Sequence, residues 1–219
     1  MTLALKAARI EKITPHWPAR ADSKARFQLL MQAIEKLLLE HGPSDITIQM
    51  IADEARMPTA TVYHFFPSVD AAMFAQARVY IERFEKLSAA GTPAHERRSW
   101  QGCWRVGSQR ARELYTSNVA CMRLLLGPDV PRDIQTYDSE FNVRLGRICA
   151  GQFHEYFATP AIEGLEAICT NAIEISDTFW RMSFERHGTI TDALFDESMR
   201  AVVAYLRIYL PDELVPRDV

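Results

Sequence analysis

Apolar side chains recur every three to four residues along most of the chain, and that period predicts helices rather than strands. Phe27, Leu30, Met31, Ile34, Leu37 and Leu38 fall on one stripe of a helix over 22–41, which Gly42-Pro43 stops. A second, much shorter helix follows, with Ile48, Ile51, Ala52 and Ala55 at i, i+3, i+4 and i+7, and with Gln49, Asp53 and Glu54 turned elsewhere. Thr47 is placed to cap its start. Arg56-Met57-Pro58 breaks the pattern, because proline fixes its own backbone angle and pushes the preceding residue away from helix. A third helix is predicted from about 59 to 66. Val62, Phe65 and Phe66 give it an apolar face, which leaves Thr59, Ala60, Thr61, Tyr63 and His64 facing outward. Two short helices joined by a tight break are the layout of a helix-turn-helix, which lays its second helix into the major groove of DNA. Pro67-Ser68 restarts the chain into a helix over 68–90 that ends at Gly91-Thr92-Pro93. Further helices are predicted over 94–116, 118–126, 129–157, 160–187 and 191–210, separated by Gly127-Pro128, Thr159-Pro160 and His187-Gly188.

The order Gly42, Thr47, Ile51-Ala52, Thr61-Val62-Tyr63, Phe66-Pro67-Ser68 resembles the DNA-binding domain of the TetR/AcrR family of transcriptional regulators over roughly 24–87. The resemblance implies an all-α protein, with an N-terminal three-helix helix-turn-helix DNA-binding domain followed by a helical-bundle domain for ligand binding and dimerisation. The corresponding division is a basic arm over 1–21, a DNA-binding domain over 22–67 and an effector-binding and dimerisation domain over 68–219. Carried over by position, Gln49, Thr59, Ala60 and Thr61 would approach base edges, while Thr47, Tyr63 and His64 would meet phosphates. The implied function is repression: a dimer binds operator DNA and is released by a small-molecule effector, so the partners are double-stranded DNA, a second copy of the chain and that effector. Three positions depart from the family pattern. Arg56 stands where the turn usually has glycine, so the turn is reached without a left-handed residue or at some strain. Pro58 replaces a capping hydroxyl, and Val69 replaces a lysine near the phosphate backbone. These departures motivate an alternative, an all-helical protein-interaction module whose helix-turn-helix no longer reads DNA.

Composition narrows the picture. With 219 residues, 48% of them apolar, the chain can bury a substantial core in one large or two modest domains. The formal net charge of −3 excludes a general polycation. Within residues 1–26, however, Lys6, Arg9, Lys12, Arg20, Lys24 and Arg26 face only Glu11 and Asp22, a basic arm that can reach phosphates or remain a solvated tail. No run approaches the roughly 18 apolar residues that a membrane helix needs, and 1–12 lacks the apolar centre of a signal peptide, so a cytoplasmic protein is expected. Cys103, Cys121, Cys149 and Cys169 are widely spaced in apolar helical contexts, as expected of buried free thiols.

The last two predicted helices carry the longest apolar stripes: Ile162, Leu165, Ile168, Ala172, Ile175 and Phe179 on one, Leu194, Met199, Val202, Val203, Leu206 and Leu210 on the other. Two such hairpins from two chains would form a four-helix bundle, the expected dimer contact, although one chain could also bury both stripes itself. The middle helices concentrate Trp100, Trp104, Tyr115, Phe141, Phe153, Tyr156, Phe157 and Trp180. This set can line a pocket for a flat or greasy ligand, with Arg105, Arg144 or His154 to orient a polar group, or it can simply fill a core. No glutamate is followed three residues later by histidine, and His-Glu-x-x-His, Gly-x-Ser-x-Gly and phosphate-cradling glycine loops are absent. No catalytic residue, metal site or cofactor is therefore expected.

Overall fold

The computed structural model describes residues 14–217. Among them are nine α-helices: α1 (Ala21–Glu40), α2 (Ile48–Ala55), α3 (Thr59–Phe65), α4 (Val69–Ala89), α5 (Trp100–Thr116), α6 (Val119–Leu126), α7 (Arg132–Tyr156), α8 (Leu165–His187) and α9 (Asp192–Leu206). The only extended pairing among the described residues is an isolated antiparallel bridge between Phe157 and Pro216. The fold is all-α, as the helical period predicts.

The helix limits differ from the sequence expectation where capping chemistry intervenes. The helix expected over 94–116 is split, with a 3₁₀ turn at Ala94–Glu96 and a new start at α5, where the Ser99 hydroxyl accepts from the Gly102 N–H at 3.1 Å. The helix expected from 160 begins only at Leu165, after Gly164 in a left-handed conformation (φ 70°). The last helix ends at Leu206 and passes into turns, not reaching 210.

The described residues fold into two compact units that do not follow chain order: 14–80 with 119–135, and 81–118 with 136–217. In the first, α1 buries Phe27, Leu30, Ile34 and Leu38, and Ile51 of α2 and Val62, Phe65 and Phe66 around α3 complete the core. This unit also takes in α6, whose Ala120, Cys121, Met122, Leu124, Leu125 and Leu126 are all buried. A helix apolar on every side has no wet face and must lie inside. Its one cation, Arg123, donates from Nη1 to the Leu38 carbonyl at 2.5 Å, satisfying a carbonyl that the end of α1 leaves unpaired.

In the second unit α8 and α9 form an antiparallel hairpin closed by Gly188, whose φ of 69° allows the left-handed end of α8. Trp100, Phe153, Phe157, Ile168, Cys169, Ala172, Val202 and Leu206 pack into its core. The tail folds back on this core: Trp100 Nε1 donates to the Pro211 carbonyl at 2.9 Å and the Arg217 N–H donates to Tyr156 O at 2.8 Å. α7 and α8 approach closely at Gly146, where an added Cβ would lie 2.7 Å from the Glu166 carbonyl oxygen.

Candidate DNA-reading surface and a cavity in the second unit

The turn between α2 and α3 is formed in spite of its missing glycine. Thr47 caps α2 by accepting from the Met50 N–H at 3.2 Å, as its position predicts. At the far end Arg56 adopts φ 54°, ψ 45°, the left-handed region, while its N–H donates to Asp53 O at 3.1 Å and that of Met57 to Ala52 O at 2.9 Å. These two bonds are the paired closure that ends a helix through one left-handed residue. Arg56 is the only residue other than glycine with positive φ among the described residues. The strain alternative of the sequence reading is therefore the one realised, at about 1 kcal/mol for a residue bearing a Cβ. Arg56→Gly is expected to raise the unfolding free energy by about 0.5–1 kcal/mol, since relief of strain outweighs the added freedom of the unfolded chain. Urea melts of the two proteins check this, and a destabilised variant would refute it.

α3 starts at Pro58, which has extended geometry and offers no side-chain cap. Val62 and Phe65 of α3, and Phe66 after it, are buried against the unit's core, where the Phe27 ring meets Phe65 at 5.6 Å and Phe66 at 5.3 Å. This anchoring fixes which side of the helix faces out. Ala60, Tyr63 and His64 are exposed, Tyr63 to 55%, and Thr59 and Thr61 are half-buried. On α2, Thr47 and Gln49 are exposed as well, with Gln49 Nε2 held by Asp53 Oδ1 at 2.7 Å. All seven candidate residues thus lie on a short two-helix surface and none is in the interior. Ser68 accepts from the Ala71 N–H at 3.1 Å and caps α4, with Val69 half-buried beside it.

Sequence reasoning missed a clamp on α3. The His16 N–H donates to Phe65 O at 2.8 Å, and His16 Nδ1 donates to His64 O at 2.8 Å, which fixes the ring tautomer because a carbonyl can only accept. Trp17 packs on Phe27 at 5.1 Å beneath the Arg78 guanidinium at 4.8 Å. A histidine and a tryptophan inside an otherwise basic arm were the available signal. Most of that arm, residues 1–13, lies outside the described residues. Between 22 and 67 the chain carries four Lys or Arg and six Asp or Glu, and Lys36 is engaged with Glu54 at 2.6 Å.

The second unit contains a cavity of about 140 Å³. All eight aromatic residues singled out from the sequence contribute to its wall, and seven of them are also buried core. The aromatic set therefore both fills the core and lines a void. The polar groups differ from those expected. Arg105 pairs with Asp196, Arg144 with Glu85, and His154 is exposed, so none of the three lines the cavity. The polar groups that do line it include Asp138, Asn142 and Asp177. Asn142 Nδ2 donates to Asp177 Oδ2 at 2.9 Å and to Glu174 Oε1 at 3.0 Å. Burial, reinforced by Asp177 and then Glu174, pushes the Asp138 carboxyl up to about 8, and burial pushes Asp177 up to about 6. Burial also raises the Cys149 thiol to about 12 and raises Cys169, which keeps both as thiols. All four cysteines are free.

A helix-turn-helix with a solvated second helix, carried in an all-α chain, is the arrangement that helix-turn-helix DNA-binding proteins share. Residues 30–73 match the pattern of "Bacterial regulatory proteins, tetR family". The structure of a TetR-family transcriptional regulator from Streptomyces coelicolor is 21% identical and covers 85% of this chain and 98% of its own, with TM-score 0.60. SmeT, the repressor of the Stenotrophomonas maltophilia multidrug efflux pump SmeDEF, is 16% identical over 87% of this chain and 93% of its own, with TM-score 0.63. A TetR transcriptional regulator from Rhodococcus sp. RHA1 is 15% identical over 84% and 96%, with TM-score 0.59. At these identities the likeness is one of fold. No curated protein matches the chain in sequence. No helix among the described residues is long and apolar enough to cross a membrane, and no group of three metal-ligating side chains is found among them.

Proposed function

We propose that this chain is a repressor that binds operator DNA as a homodimer and is released when a small molecule enters its helical body. The observation that carries the reading is the outward face of α3. Its apolar side is locked by Val62 and Phe65 while Tyr63 stands 55% exposed, so the helix can enter a groove without unfolding anything. Thr59, Ala60 and Thr61, with Gln49, approach base edges; Thr47, Tyr63 and His64 contact phosphates. Residues 22–67 form the reading part and 68–219 the part that binds effector and partner. Dimerisation through α8 and α9 spaces two reading heads over two half-sites, and the exposed Ile208 and Tyr209 just beyond α9 add apolar surface to that contact. Effector binding acts by favouring one of two conformers with different operator affinity.

The test is binding of the duplex upstream of the chain's own gene, compared with a scrambled duplex across a salt series. Tight, salt-steep and sequence-dependent binding is expected. Tyr63→Ala should weaken it roughly 10–100-fold, the loss of a charge-assisted contact, while leaving the melting curve unchanged. Weak binding that ignores sequence would instead favour the interaction-module alternative that Pro58 and Val69 motivate. Val69→Lys restores a cation beside the start of α4. It should tighten operator binding and steepen the logarithmic salt slope by about 0.9, one more phosphate neutralised. An unchanged slope would remove position 69 from the interface.

A further inference from the structure

The cavity of the second unit carries an inbuilt charge preference. Its wall is aromatic: Trp104 and Phe153 stack with centroids 6.4 Å apart, and Tyr115 meets Trp180 edge to face at 5.9 Å. Set into that wall are two carboxylates, Asp138 on α7 and Asp177 on α8, with Glu174 one step behind them through Asn142. Asp177 is only 7% exposed, and a buried carboxylate is costly unless a positive charge compensates it. The positive groups nearby do not do so fully. Arg110, the one cation in the wall, is turned to the Gly91 carbonyl at 2.6 Å and toward Glu96. Arg181 attracts both carboxylates at longer range without forming an ion pair with either. Asp138 receives no hydrogen bond from any described residue. Trp104 Nε1 is likewise unpartnered: it is shut off from solvent and has no acceptor among the described residues.

We propose that this cavity takes a lipophilic organic cation, an aromatic ammonium of one ring, with its charge at Asp138 and Asp177 and its ring on the aromatic wall. Three lines of chemistry converge on that class. Aromatic faces attract cations most strongly where water is excluded. Two buried acidic side chains disfavour an anion, and a cation draws out their ionised form, which a neutral ligand does not. The space of about 140 Å³ is close to that of cavities known to hold a single benzene ring, so a bulky polycation does not fit. The free Trp104 N–H further favours a ligand with one acceptor atom.

The assignment names the effector class of the regulator proposed above and so rests on that reading for its biological meaning, but binding itself does not. Phenyltrimethylammonium, its neutral carbon isostere tert-butylbenzene and the anion benzoate are titrated into the full chain by calorimetry, and tryptophan emission is followed in parallel. The cation is expected to bind at least tenfold tighter than the isostere, with no measurable benzoate binding. Asp138→Asn should bring the cation down to the isostere's affinity while tert-butylbenzene binding is retained, which shows that the cavity itself is intact. Equal affinity of the cation and the isostere in the unaltered protein, or tighter benzoate binding, overturns the proposal without recourse to any variant. Operator binding is measured in the same solutions. Preferential cation binding that leaves DNA affinity unchanged would uphold the ligand class and refute the effector role, so the two failures are separable.

Discussion

Alanine in place of Trp100 is expected to lower the unfolding free energy by about 3–5 kcal/mol. Trp100 opens α5, is 0% exposed, and packs among Phe153, Phe157, Val202 and Leu206. Its removal forfeits the transfer free energy of the largest side chain and enlarges a void already present, because Trp100 also forms part of the cavity wall. The hydrogen bond from its indole to Pro211 O is the smaller part of the loss, since Pro211 is exposed and its carbonyl can turn to water. Urea denaturation measures the change, and a loss below about 1 kcal/mol would mean that this core does not hold the unit together. Freed of its anchor, the tail after Leu210 should also become more accessible to proteases.

Stability should fall as pH rises from about 4 to 8. Asp138 titrates near 8 and Asp177 near 6 in the folded chain, against roughly 3.9 for an unfolded aspartate. Between pH 4 and 8 the native state therefore binds more protons than the unfolded state, and the unfolding free energy decreases with pH throughout that window. Burial is the leading cause at both sites, with mutual repulsion adding to it at Asp138. Asp138→Asn should flatten most of this dependence and make the protein more stable than the parent at pH 8.5. Thermal melts at pH 5, 7 and 8.5 decide the matter, and a parent protein that gains stability over this range would contradict the placement of both carboxylates. Conflict between stability and cation binding is the expected signature of a side chain kept for a ligand rather than for the fold.

Much of the helix-turn-helix was legible in the sequence because its information is local. The i, i+3, i+4 stripe of α2, the Thr47 cap and the break at Pro58 act within a few residues of themselves, and each appears where the pattern put it. Val62, Phe65 and Phe66 face inward for the same reason. Arg56 was legible only as a question. Sequence leaves open a turn without a left-handed residue or one at some strain, and the positive φ of Arg56 with the two backbone bonds from Arg56 and Met57 shows that the left-handed closure forms although no glycine is present. The clamp by His16 was not legible, since it joins residues 48 positions apart through main-chain carbonyls that carry no sequence signature.

The cavity was half legible. Its eight aromatics could be named in advance, yet the polar partners first suggested for it, Arg105, Arg144 and His154, are turned to other tasks, and Asp138 and Asp177 do the lining instead. Helical register gives the face of a residue relative to its own helix. Which neighbour that face meets depends on how separate helices are rotated and crossed.

By itself the sequence determined that the described part of the chain is built of helices, where α2 gives way to α3, and which side of α3 must be anchored, because periodicity, proline and glycine act over one or two turns. Only the tertiary structure decided that α6, far along the chain, packs in the same unit as α1, that the outward residues of α2 and α3 share one surface, and that two carboxylates face a ring-lined void. Those facts depend on contacts between segments distant in the chain, whose energies are set by shape and burial rather than by any local spacing of residues.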